Sequence, residues 1–155
     1  PARGAHCTLQ RERRMANANV HVKWTGARQF IGTDSGKHSI VISSHDEANH
    51  TGVKPSDLLL LALGTCSGYD VVSILEKKRM TLNSLEIHIQ ARQDPDPPWT
   101  FREIRLMYHV SGQGLTPKAV DQAIHLSLTK YCSVAVTISG RAKIEYEYAI
   151  GEQQG

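Results

Sequence analysis

Cysteine is scarce in this chain, and what there is does not pair locally. Only three occur among 155 residues, Cys7, Cys66 and Cys132, too few and too far apart for a disulfide framework. There is no CxxC, and no set of cysteines and histidines completes a zinc motif. No metal site and no cofactor is therefore expected. The eight histidines are scattered. His38, His45 and His50 share a loop-rich stretch, but their spacing fits no metal motif, and they read as solvated loop side chains. Excess charge is also scarce. The net +3 belongs to residues 1–14, with four arginines and one glutamate, while the rest of the chain balances. That argues against a nucleic-acid surface on the folded body. No secretory signal is visible. The longest apolar run is too short, and soon too polar, to cross a bilayer. No nucleic acid and no membrane is expected as a partner. Free thiols persist in a reducing compartment, so a cytoplasmic location is expected.

A chain of this length is most simply one domain with a real core. It is expected over residues 17–150, between an N-terminal tail (1–16), read as flexible or as preceding a natural start at Met15, and a C-terminal tail (151–155). The hydrophobic fraction of 40% and charged fraction of 21% suit a globular protein. There is no repeat and no low-complexity segment.

The centre of the sequence is the stretch from Lys54 to Arg79. Pro55 suits the first position of a helix, where a missing N–H is not needed. Asp57 in the first turn, and Lys77, Lys78 and Arg79 in the last, complement the helix dipole. Leu58 to Leu63 is apolar on every side, which predicts a buried helix. Gly64, Ser67 and Gly68 then interrupt it. Glycine inside a helix costs roughly 1 kcal/mol relative to alanine, a cost offset where a backbone or ligand approaches closely. Cys66 lies in this small-residue segment, and the expectation is space at its sulfur.

Strand signals surround the helix. Residues 19–24 alternate with period two, the stretch from Arg28 to Thr33 reads as a second strand, and Ser39 to Ser43 is a third short strand. Turn signals at Thr25-Gly26-Ala27 and Asp34-Ser35-Gly36 separate them. After the helix, residues 82–92 and 101–110 alternate and form a hairpin around a proline-rich loop. Thr116-Pro117 opens a second helix as cap and first residue. Val120, Ile124, Leu128 and Cys132 recur every fourth residue along it, placing Cys132 at or just beyond its end. Ser133 to Ser139 is apolar and β-branched, and Lys143 to Ile150 is a closing strand. Three strands, helix, two strands, helix and strand is not βαβ alternation. It predicts an α+β protein with helices packed on antiparallel sheets.

Two cysteines on or beside buried helices admit two readings. A buried cysteine is commonly a small inert hydrophobe. Two thiols brought together form a dithiol: one sulfur attacks a peroxide and becomes a sulfenic acid, and the second condenses with it to a disulfide.

The run Lys54-Pro55-Ser56-Asp57-Leu58-Leu59-Leu60-Leu61-Ala62-Leu63-Gly64-Thr65-Cys66-Ser67, then Asp70-Val71-Val72 and Tyr131-Cys132-Ser133-Val134, resembles the OsmC/Ohr family of osmotically induced and organic hydroperoxide resistance proteins. The resemblance covers roughly residues 17–150. It looks more like the YhfA-like branch than like the characterised hydroperoxide resistance proteins. It implies an OsmC-like fold, with two antiparallel sheets wrapped around two central helices in an intertwined homodimer and sites at the subunit interface. It further implies a thiol-dependent peroxidase acting on small organic hydroperoxides with a dithiol reductant. By motif Cys66 is the peroxidatic residue and Cys132 the resolving one. Arg28 is the candidate activating arginine, and Ser56, Asp57 and Gly64 are the expected substrate-side residues. One departure stands out. The family places a glutamate directly after the helix-starting proline, and here that position is Ser56. Asp57 is one residue on, about 100° round the helix. An alternative reading therefore stays open: a non-catalytic dimer that binds a small apolar or thiol ligand at its interface.

Overall fold

A computed structural model describes residues 18–151. By contact pattern the chain divides into two compact units, before and after the Lys54–Pro55 junction.

The first unit is an antiparallel meander of β1 (His21–Gly26), β2 (Gln29–Thr33) and β3 (Ser39–Ser43). Gly26 at φ 121° and Ala27 at φ 44° make the first turn. The second turn is held by Asp34, whose carboxylate accepts from the His38 N–H at 2.8 Å. Residues 44–54 fold back as a loop pinned by buried Ser43, whose hydroxyl accepts from the Gly52 N–H at 2.9 Å. The register pairs Trp24 with Phe30 and Phe30 with Ile42. Period-two alternation therefore gathers apolar side chains on one face, where Val22 and Trp24 remain at least 60% exposed.

The second unit begins with α1 (Pro55–Lys77). Leu63, Ser67, Val71 and Leu75, spaced four apart, are all fully buried. Arg79, at φ 61°, turns the chain out of the helix, and the Met80 N–H reaches back to the Leu75 carbonyl at 3.1 Å. The expectation that the Leu58–Leu63 turns are buried all round is corrected: Leu59 and Leu61 are 40% and 52% exposed, and Tyr69 further along is 76% exposed. The described residues supply packing for only one face. The expectation that the apolar run is too short to cross a bilayer is corrected as well: α1, at 23 residues, is long and apolar enough to do so by length and composition. Its inner face nevertheless packs against β4, α2 and α3 like that of a core helix.

β4 (Thr81–Gln93) and β5 (Phe101–Gln113) form a long antiparallel hairpin, and β6 (Lys143–Ile150) lies on the other side of β5. β5 is central and alternates cleanly, with Ile104, Leu106, Tyr108 and Val110 no more than 1% exposed. β6 runs parallel to β5, so this sheet is mixed and not antiparallel as expected. The reason lies in the connection: a helical crossover returns the chain to the start of its neighbour, which a short turn cannot do.

That crossover is α2 (Pro117–Leu126), a π-helical turn (Ser127–Tyr131) and α3 (Ser133–Ile138). Thr116 caps α2, its hydroxyl accepting from the Ala119 N–H at 3.2 Å. The β-branched stretch after Cys132 is helical, a segment the sequence reading did not count as a helix. Cys132 supplies its N-cap, with Sγ accepting from the Ala135 N–H at 3.3 Å. Local capping and burial of Ala135 and Ile138 outweigh the intrinsic strand preference.

Candidate functional site

The second unit brings Cys66 and Cys132 together. Cys66 projects from the middle of α1, packed against the core but half-buried. Cys132 is fully buried where the π-turn meets α3. Its thiol is pushed up to about 11, first by loss of solvent, then by hydrogen bonding and charge from Cys66. The N–H groups of Ala135 and Val134 oppose the shift. Cys132 is therefore a neutral thiol at neutral pH, beside a more accessible partner.

A buried polar network lies next to the pair. The Ser67 and Tyr108 hydroxyls are 2.6 Å apart. The Ser127 hydroxyl lies 3.1 Å from the Ser67 hydroxyl and 3.0 Å from an Asp70 carboxylate oxygen. Ser67, Tyr108 and Ser127 have no exposed surface. The Tyr108 phenol is pushed up to about 12, mainly by burial, and hydrogen bonding from Ser67 offsets part of this. The sequence reading missed this network. Its signals were a serine on the apolar side of the second helix and a tyrosine in phase with the buried positions of β5.

The other expected residues fall elsewhere. Gly64 is buried against β4: a Cβ there would come within 2.6 Å of the Ile89 methyl, and one at Gly68 within 3.0 Å of that of Ile87. The glycines thus admit isoleucines rather than opening space at the sulfur. Both also line a shallow apolar groove of about 330 Å³ between α1 and β4, with Leu61, Thr65 and Tyr69. Ser56 and Asp57 sit in the first turn of α1, where the Ser56 hydroxyl donates to Asp57 at 3.4 Å. The helix rise puts them about 14 Å from the Cys66 level, so this chain brings neither to its own thiol. Arg28 belongs to the first unit. Its side chain is 75% exposed, and its guanidinium lies 3.6 Å from the Asp46 carboxylate. Asp46 is held below the usual carboxylate range, mainly by hydrogen bonds from Ser44 and Asn49 and in part by Arg28. A further cleft of about 470 Å³ opens over Asp70, walled by Tyr69, Ser73, Lys77, Leu126 and Tyr131.

An α+β unit with a long helix carrying one thiol against a second thiol in a helical crossover defines a class of dithiol-bearing proteins. A family model for OsmC-like proteins matches residues 46–147, and the chain belongs to that family. It is 33% identical over 131 residues to Protein YhfA of Escherichia coli K12, covering 84% of this chain and 96% of YhfA. Among solved structures it is similar to a hypothetical protein from Aquifex aeolicus (30% identity, TM-score 0.77, 89% of this chain and all of that one). It also shares its fold with the organic hydroperoxide resistance protein OhrB of Bacillus subtilis (16% identity, TM-score 0.60, 86% of this chain and 98% of that one).

Proposed function

We propose that the protein is a thiol-dependent peroxidase for organic hydroperoxides, with Cys66 as the attacking residue and Cys132 as the resolving one. Membership of the OsmC-like family, and a fold shared with organic hydroperoxide resistance proteins, support a redox or stress-related role. One observation carries the finer reading: a half-buried thiol beside a fully buried one. An oxidant reaches Cys66 first, and Cys132 is shielded until it is needed.

The steps follow from that order. The Cys66 thiolate attacks one peroxide oxygen, the O–O bond breaks, and the alcohol leaves with a proton. Cys66 is then a sulfenic acid. The Cys132 sulfur attacks it, an S–S bond forms, and hydroxyl leaves with the Cys132 proton as water. An external dithiol returns two electrons and two protons and restores both thiols. Exposed apolar residues on α1, Leu59, Leu61 and Tyr69, support a homodimer in which a second copy covers them.

The test is consumption of cumene hydroperoxide with dihydrolipoamide by wild type and Cys66→Ser. Turnover in the first and none in the second is expected. Equal rates, or no rate in either, overturn the proposal. A second reading, a dimer that binds a small apolar or thiol ligand without turnover, is favoured by Ser56 in place of the family carboxylate. Unreactive thiols together with ligand-induced thermal stabilisation support that reading.

A further inference from the structure

The π-helical turn before Cys132 has a specific attachment. Its first residue, Ser127, faces α1 with its side chain and Cys132 with its backbone. The Cys132 N–H donates to the Ser127 carbonyl at 2.9 Å, closing the five-residue turn. The Ser127 hydroxyl meets three acceptors on α1: the Ser67 hydroxyl at 3.1 Å, the Ser67 carbonyl at 3.4 Å and the Asp70 carboxylate at 3.0 Å. Ser67 directly follows Cys66. One residue therefore links the backbone of one cysteine to the residue beside the other, in a region without solvent.

We infer that Ser127 is a positioning residue that sets the approach of the Cys66 and Cys132 sulfurs, with the π-turn as the register device. The inference rests on the Cys66–Cys132 pairing proposed above. A disulfide tolerates little error, since its Cα atoms must lie within about 7 Å and its sulfurs must meet at a restricted torsion. A regular α-turn would advance the chain by one residue less per hydrogen-bonded ring and rotate Cys132 away. π-turns of this kind occur frequently at functional sites, where they re-aim a side chain. A hydroxyl buried against α1 holds such a turn in place, because releasing it would leave polar groups unpaired in the core. Asp70 contributes the charged acceptor, and charge-assisted hydrogen bonds are the stronger kind.

The test uses the equilibrium of the protein dithiol with glutathione: two protein thiols plus oxidised glutathione give the protein disulfide plus two reduced glutathiones. The constant measures how well the two sulfurs are aligned. Alkylation of Cys66 by iodoacetamide reports its intrinsic reactivity separately. Ser127→Ala is expected to lower the constant about tenfold, the scale of one buried hydrogen bond, while Cys66 alkylation keeps its wild-type rate. Asp70→Ala, at the cleft and outside the core, is expected to lower it about threefold. It decides the matter if Ser127→Ala does not fold. Unchanged constants, or parallel loss of disulfide formation and Cys66 reactivity, overturn the inference. The two proposals separate cleanly. Peroxide turnover with a Ser127-independent constant defeats only this one, and a Ser127-dependent constant without turnover defeats only the peroxidase reading. A wild-type protein that forms no disulfide at any glutathione ratio defeats both.

Discussion

Ser67 and Tyr108 share a 2.6 Å hydrogen bond across the interior, joining the helix that carries Cys66 to the central strand of the mixed sheet. Neither hydroxyl reaches water. The bond fixes α1 along its axis at the residue that follows Cys66.

Removing that bond is expected to have a modest, measurable cost. Tyr108→Phe leaves the Ser67 hydroxyl with Ser127 as a partner, so no polar group is orphaned. A loss of about 1 kcal/mol is expected, the net value of one such bond, read as a lower urea midpoint at unchanged slope.

Alkali is expected to weaken the fold. The Cys132 thiol is raised to about 11 and the Tyr108 phenol to about 12, both chiefly by burial. The folded protein thus keeps protons that the unfolded chain releases near 8.5 and 10. The stabilisation is complete below pH 8 and is lost as pH rises towards 11 and 12. Urea midpoints from pH 8 to 11 should fall continuously. Cys132→Ala should flatten the part of the decline that begins near pH 8.5. A pH-independent midpoint in wild type would contradict the assignment.

The two cysteines are expected to fail differently. Cys66→Ser should remove peroxide consumption altogether. Cys132→Ser should still react once, then accumulate sulfenic and sulfinic acid at Cys66, because no resolving thiol follows. Intact mass after substoichiometric cumene hydroperoxide distinguishes the two. A disulfide in neither variant and a loss of two hydrogens in wild type is the expected pattern.

Glycines divide by what stands over them. A Cβ at Gly112 would lie 2.1 Å from the Thr81 carbonyl oxygen, a backbone atom of the paired strand that cannot yield. Gly112→Ala is expected to cost about 3 kcal/mol or to prevent folding. At Gly64 the obstacle is the Ile89 methyl at 2.6 Å, the movable end of a side chain. Gly64→Ala should stay within about 1 kcal/mol of wild type, since the helix gains nearly that much from alanine. Thermal midpoints of the two variants test the contrast.

The exposed face of α1 predicts an oligomer. Leu61 is 52% exposed and Tyr69 76%. The wild-type chain is expected to elute as a dimer, and Leu61→Asp to shift it to monomer mass in light scattering. A monomeric wild type would remove the dimer from the proposal.

Much of this molecule was legible in the sequence because the signals are local. Pro55 and Thr116-Pro117 mark their helix starts, and period-two alternation marks β1, β4, β5 and β6. The spacing Val120, Ile124, Leu128 carries the chain to Cys132. Cysteine count and position alone single out Cys66 and Cys132 as the pair to examine. Tertiary structure decided the rest. The parallel direction of β6 depends on how the crossover packs, not on its composition. Helix α3 overrides a β-branched stretch because Cys132 caps it and two of its residues are buried. Gly64 and Gly68 read as space at the Cys66 sulfur, yet Ile89 and Ile87, more than eighteen residues away in the chain, pack over them. Ser127 looked like one more residue beside an apolar row. Its role depends on meeting Ser67 and Asp70, sixty and fifty-seven positions earlier, and such meetings are set by burial and hydrogen bonding across elements, which no local pattern encodes.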